Sequence, residues 1–230
     1  MKYHSHYTFF ALLLAISFIV SSCVVKTNDE PSEKSTVSLT PGSFNRIHLV
    51  GVENVTFSQG DTTTVVMTGD NKLIDTYDVD VEDGCLTIKS NKKVIIKKHS
   101  VEIFITSPDI EEVSIEGAGK FSLKDEIKTE KLDLYLGGAG ALSVDKVECD
   151  DLKVKVDGTG KVDLDGITAK NVSISMSGVG NINAFFVNSG DVEAALDGVG
   201  SVTFEGNVKS LKKNSSGIGN INTKKLVIGE

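Results

Sequence analysis

Between Val113 and Phe204 the chain alternates apolar and polar residues, and the alternation restarts about every 20 positions. Three apolar residues spaced two apart come first: Leu132, Leu134 and Leu136, then Leu152, Val154 and Val156, then Val172, Ile174 and Met176, then Val192, Ala194 and Leu196. A pair follows with the same spacing: Leu142 and Val144, Val162 and Leu164, Ile182 and Ala184, Val202 and Phe204. Asp, Glu, Lys, Ser and Asn fill most of the positions between. Successive side chains of a strand point to opposite faces, so each repeat is predicted to hold two short strands with one buried face.

A Gly-x-Gly separates the triplet from the pair. It recurs at Gly117 and Gly119, Gly138 and Gly140, Gly158 and Gly160, Gly178 and Gly180, Gly198 and Gly200, and Gly217 and Gly219, in steps of 21, 20, 20, 20 and 19 residues. Glycine suits a bend that needs positive φ or where successive backbones crowd. Equal columns at a fixed period place like residues on top of one another. A single coil cannot bury its own apolar side, and a stack of coils can. The fold class expected is all-β, a parallel β-helix or closely related β-solenoid with coils of about 20 residues. An antiparallel sandwich also spaces strands closely, but it gives no reason for bend glycines at a constant period. A third inward column is expected on the return segment, at Val147, Ile167, Val187 and Leu226, with Ile127 and Val208 one place late.

Residues 40–112 are less regular. Strands are predicted around Phe44–Leu49, Val52–Ser58, Thr64–Thr68, Val79–Val81, Cys85–Lys89 and Val101–Thr106, with a hairpin turn at Asp83-Gly84. Asp70 stands as an N-cap before one helical turn. This part reads either as degenerate first coils or as a more open N-terminal β lobe beside the regular solenoid of 113–230. The last repeat also decays, with Lys213 and Ser215 at inward positions, as terminal repeats of solenoids often do.

Residues 1–22 read as an export signal: a weakly basic start at Lys2, an apolar run from Phe9 to Val20, then Val20-Ser21-Ser22-Cys23. That ending resembles a bacterial lipobox and implies cleavage before Cys23 and lipidation of Cys23. The alternative is an ordinary secretory signal with an incidental cysteine. Residues 23–39, rich in Lys, Thr, Asp, Glu and Ser, read as a flexible tether.

The whole chain has 24 basic and 32 acidic residues, a formal charge of −8; losing Lys2 with the signal leaves 23 against 32, or about −9. An acidic surface without a basic cluster or aromatic platform speaks against nucleic acid. Cys85 and Cys149 show no zinc spacing and are expected as free thiols. Gly137–Leu142 superficially resembles a calcium-binding nonapeptide, but Leu142 stands where a ligand aspartate belongs, so no metal and no cofactor are expected. The acids Asp157, Asp163, Asp165 and Asp197 read better as solvated outward residues than as a hydrolytic pair. Asn181, Asn183, Asn220 and Asn222 form the candidate binding surface, as a polar strip for a glycan or protein. The bland reading makes them an asparagine ladder. The middle residues of the bends, Ala118, Ala139, Thr159, Val179, Val199 and Ile218, form an apolar ridge if they point outward and fill a corner if inward.

The Gly178-Val179-Gly180-Asn181-Ile182-Asn183 and Gly217-Ile218-Gly219-Asn220-Ile221-Asn222 repeats resemble the motif of the putative auto-transporter adhesin, head GIN domain family, as do Val52–Asp61, Leu86–Ile88 and Pro108–Gly119. The resemblance covers about residues 40–228. It implies a bilobal β-helix-like lipoprotein of Bacteroidetes type, at the outer membrane on the cell surface or the periplasmic face. It brings no catalytic residues. The expectation is a non-enzymatic, lipid-anchored envelope protein that binds a protein or glycan, with homo-oligomerisation possible. The alternatives are a polysaccharide lyase-like β-helix enzyme and a purely structural envelope protein.

Overall fold

The computed structural model describes residues 33–51, 54–90 and 101–229. The export signal, Cys23, most of the tether and the lysine-rich stretch around Val94–Ile96 lie outside the described residues. Ser32–Glu230 make one compact unit.

Strands follow in the order β1 Lys34–Leu39, β2 Arg46–Val50, β3 Asn54–Gln59, β4 Thr64–Asp70, the helical turn α1 Asn71–Ile74, β5 Tyr77–Glu82, β6 Cys85–Ser90, β7 Glu102–Ser107 and β8 Glu112–Ile115. The regular coils are β9 Ala118–Lys128, β10 Lys131–Leu136, β11 Ala139–Val156, β12 Thr159–Met176, β13 Val179–Leu196, β14 Val199–Ser215 and β15 Ile218–Ile228. β11 to β14 are long because each starts after one bend, runs past the return segment and ends at the next bend. They pair in parallel with their neighbours, glycine on glycine: Gly140 faces Gly160, Gly160 faces Gly180 and Gly180 faces Gly200. This is the β-solenoid of 20-residue coils that the periodicity requires.

The apolar columns are the core. Leu134, Val154, Ile174 and Ala194 are buried, as are Leu142, Val162, Ile182 and Val202. The third column holds at Ile127, Val147, Ile167 and Val208, and Leu226 is half-buried against it. At β13 the expectation fails. Phe186, not Val187, pairs with Ile167 and is fully buried, while Val187 is exposed. The cause is local. Asn188 adopts positive φ (51°), and its N–H donates to Asn207 Oδ1 at 3.0 Å. β13 therefore turns the corner one residue early. Phe186 then meets Phe204 edge to face, with ring centroids 5.3 Å apart.

The N-terminal part is built into the same stack. β2 pairs with β8, and β3 pairs with β9, both parallel. β6 and β7 form a further coil on the opposite side of β2 and β3. The solenoid thus runs unbroken across residue 112, which matches the degenerate-coil alternative and not the separate lobe. Antiparallel strands close this end: β5 on β6, β4 on β7, and β1 on β4. The expected tether to residue 39 is corrected by β1, whose Val37 and Leu39 lie opposite Met67 and Val65 and pack on the core. Asp70 caps α1 by accepting from Lys72 N at 2.9 Å. Asp83 and Gly84, both at positive φ (50° and 73°), make the tight turn between β5 and β6. Gln59 ties the stack laterally: its Nε2 donates to the carbonyls of Pro108 and Lys128, and its Oε1 accepts from Lys128 N, each at 2.8 Å.

Candidate binding surface

The bends decide what the molecule shows to solvent. Each first glycine offers its carbonyl to the middle residue of the next bend: Gly138 O accepts from Thr159 N at 2.9 Å, Gly158 O from Val179 N at 3.0 Å, Gly178 O from Val199 N at 2.9 Å. With its N–H turned onto the stack, the middle residue points its side chain outward. Val179, Val199 and Ile218 are 50%, 44% and 78% exposed and stand beside one another in register. They make a short aliphatic ridge along one corner, the outward alternative left open by the sequence. The ridge begins as Ala139 and Thr159 and grows toward the last coil.

The four asparagines lie on the side that follows this corner, in two rows. Asn181, Ser201 and Asn220 are in register in one row, and Asn183, Thr203 and Asn222 in the next. Three of the four are tied within the protein. Ser201 Oγ donates to Asn181 Oδ1 at 2.8 Å, Asn183 Nδ2 donates to Asp163 Oδ1 at 2.8 Å, and Lys224 N donates to Asn222 Oδ1 at 3.1 Å. Asn220 is exposed at the edge of the last coil. These bonds run to Ser201, Asp163 and the Lys224 backbone, none from one of the four asparagines to another.

A second exposed feature was not singled out from the sequence. A groove of about 1000 Å³ runs along the opposite corner, where the return segments meet the strands that precede the bends. Ion pairs between neighbouring coils cross it: Lys128–Glu148 at 2.9 Å, Lys170–Asp150 at 2.7 Å and Lys209–Asp191 at 3.4 Å. Hydrogen bonding to Glu148, with Glu126 nearby, raises the Lys128 ammonium above its ordinary value. Cys149 is buried in this corner, and burial, with Asp151 and Asp150 beside it, pushes its thiol up to about 11. Among the described residues Cys85 and Cys149 are free thiols, on strands β6 and β11 that β2, β8 and β10 separate.

Three of the four acids weighed as hydrolytic candidates have neighbours of their own. Asp157 pairs with Lys155 at 2.5 Å, Asp163 with Lys161 at 2.7 Å, and Asp197 accepts from Ser216 Oγ. Leu142, at the calcium-ligand position of the superficial nonapeptide, is buried in the core. Among the described residues no three His, Cys, Asp or Glu side chains converge as metal ligands. No helix among them is long and apolar enough to cross a membrane.

The family model for the putative auto-transporter adhesin, head GIN domain, matches residues 43–225. The chain belongs to this family. Solved structures share its fold. A putative adhesin from Bacteroides fragilis NCTC 9343 is similar at TM-score 0.70 and 24% identity, over 85% of this chain and 97% of its own. A putative lipid binding protein from Parabacteroides distasonis ATCC 8503 is similar at TM-score 0.64 and 18% identity, over 86% and 98%. A putative adhesin from Parabacteroides merdae ATCC 43184 is similar at TM-score 0.53 and 18% identity, over 86% and 97%. No curated protein matches the chain. The family and two of these relatives are described as adhesins, not as enzymes.

Proposed function

We propose that this member of the head GIN family is a non-enzymatic, lipid-anchored protein of the bacterial outer membrane, acylated at Cys23, that presents its solenoid for adhesion. The binding surface is the Val179–Val199–Ile218 ridge with the asparagine strip of Asn181, Asn183, Asn220 and Asn222 beside it. The partner is a protein or glycan that offers apolar surface to the ridge and hydrogen-bonding groups to the strip. The observation that carries this reading is the ridge itself. Three β-branched aliphatic side chains stand exposed and in register on a rigid frame, where the packing of the coils does not require them to be apolar.

Two measurements test it. In the first, intact cells are treated with protease and the chain is detected by an antibody against residues 40–230. Digestion supports surface display, and protection until the outer membrane is broken rejects adhesion to outside partners. In the second, immobilised glycans and matrix proteins are screened with the native chain and with a V179S/V199S/I218S variant. Binding lost in the variant supports the ridge. Binding that survives it moves the site elsewhere.

A further inference from the structure

The groove at the corner opposite the ridge extends beyond that corner. A second hollow of about 550 Å³ adjoins it on the outer face of the strands that precede the bends, and Asn171 and Asp191 line both parts. Lys131, Asp151, Asn171, Asp191 and Ser210, one residue from each of β10 to β14, run along it in register, over about 19 Å at the spacing of neighbouring strands. The surface sinks at the corner because its inward column is small. Cys149, Ala169 and Ser189 are buried there, each following a larger core residue, Val147, Ile167 and Phe186.

The charges of the groove are matched within it. Six lysines and seven acidic residues line the two parts. Five of the lysines are in ion pairs, and every partner also lines the groove. Lys131 pairs with Asp133 and Lys212 with Glu193, both at 2.7 Å, besides the three pairs that cross the corner. Two neutral donors are tied in the same way. Asn171 Nδ2 donates to Asp151 Oδ1 at 2.9 Å, and Ser210 Oγ donates to Asp191 Oδ1 at 2.7 Å.

We infer that this groove is a second binding site, separate from the ridge, and that it takes an uncharged linear oligosaccharide laid along the solenoid axis. A carboxylate accepts about four hydrogen bonds and an ammonium donates about three, so each ion pair keeps capacity of both signs. A sugar hydroxyl donates and accepts, and it can use both halves of a pair without separating them. The lining repeats at every coil, as the hydroxyls of a linear glycan repeat along its chain. Other occupants do not match this lining. A charged ligand would have to draw a lysine or a carboxylate from its present partner, since among the described residues only Lys153, Glu130 and Asp151 of the lining stand outside the ion pairs. An apolar partner meets none of the exposed large apolar side chains, all of which lie elsewhere among the described residues. A peptide cannot add as a strand, because β11, β12 and β13 are paired on both sides. No aromatic ring lines the groove, so affinity rests on hydrogen bonds and rises with the number of coils covered.

The test is titration calorimetry of the native chain with maltodextrin, cellodextrin, xylan and mannan oligosaccharides, each as the disaccharide, tetrasaccharide and hexasaccharide. Polygalacturonate oligomers are the charged control. The expected result is that at least one neutral series binds, more tightly with length, and changes less than about twofold up to about 1 M salt. D151A/N171A/D191A, which strips the exposed row shared by the two parts, is expected to weaken binding at least about tenfold. N171A, which breaks no ion pair, is the second variant, expected to weaken it about threefold; circular dichroism checks that both fold. The ridge variant V179S/V199S/I218S is expected to bind as the native chain does. Neutral series that all fail to bind overturn the inference, as does binding confined to polygalacturonate. Folded groove variants that bind like the native chain overturn it too. Loss of binding in the ridge variant alone would also overturn it and assign the glycan to the ridge.

Discussion

The carbonyl oxygen of Gly158 lies 1.9 Å from the place a β-carbon on Gly178 would occupy. The same relation repeats between Gly138 and Gly158, at 1.9 Å, and between Gly178 and Gly198, at 2.0 Å. A distance under 3 Å to a backbone atom cannot be relieved by a rotamer change, so these glycines are fixed by coil-on-coil crowding. Gly178→Ala is expected to lower unfolding free energy by more than about 3 kcal/mol. Gly42, where a β-carbon meets only Val81 Cγ1 at 3.9 Å, is the control, and Gly42→Ala should stay within about 0.5 kcal/mol. Urea denaturation of both variants checks this; equal effects would contradict the crowding argument.

Phe185 and Phe186 are neighbours with opposite roles. Phe185 is 45% exposed, and Phe186 is fully buried against Phe204. Phe186→Ala is expected to cost about 3–5 kcal/mol and Phe185→Ala less than about 0.5 kcal/mol. The reverse order in thermal or urea unfolding would mean that β13 turns its corner at Val187 after all.

Cys149 should be nearly inert. A thiol pushed to about 11 from an ordinary 9.0 holds about 100-fold less thiolate at neutral pH, and the thiolate is the species that reacts. In the Ser32–Glu230 unit, alkylation of Cys149 by iodoacetamide is expected to be at least about 100-fold slower than in urea. Peptide mapping resolves it from Cys85. Comparable rates would show that the corner around Cys149 opens readily.

Asp191 gives a pH signature. The hydrogen bond from Ser210 Oγ at 2.7 Å, followed by Lys209 at 3.4 Å, holds its carboxyl below the ordinary 3.8. A depressed folded-state value means that the contribution of this group to stability is present above its ordinary value. That contribution is lost as pH falls through the depressed one. Ser210→Ala should move the Asp191 titration, followed by carboxyl chemical shift, back up toward 3.8. No movement would assign the depression to Lys209 alone.

The repeat made the regular coils legible, because a stacked strand must repeat its inward residues at the coil period. It hid the first coils for equally physical reasons. Ile47, Leu49, Gly51, Val55 and Phe57 stand at the same offsets as Leu134, Leu136, Gly138, Leu142 and Val144. Gly51 indeed heads the glycine stack, accepting from Ala118 N at 2.6 Å. Yet Glu53 replaces the second glycine, so a search for Gly-x-Gly passes over it. The coil of β6 and β7 is disguised by length. Thirteen positions separate Ser90 from Ile103, where four separate Gly51 from Val55. At the candidate surface, the asparagine rows were readable from the repeat, since equal offsets become register neighbours. The outward aim of the ridge was not, because it depends on which glycine carbonyl receives each bend N–H.

The stack does not follow the chain at its start: the coil of β6 and β7 sits beneath the coil of β2 and β3, although it is made later. By residue 107 the near end is therefore finished, with its antiparallel edge strands in place and a single side left to build on. Every later coil arrives from the ribosome in the order in which it is laid down. Growth of the polypeptide and growth of the stack then proceed in one direction, each new coil copying the register of the last. The length of the molecule becomes an adjustable quantity, about 4.8 Å for each coil gained or lost, with the founding end untouched.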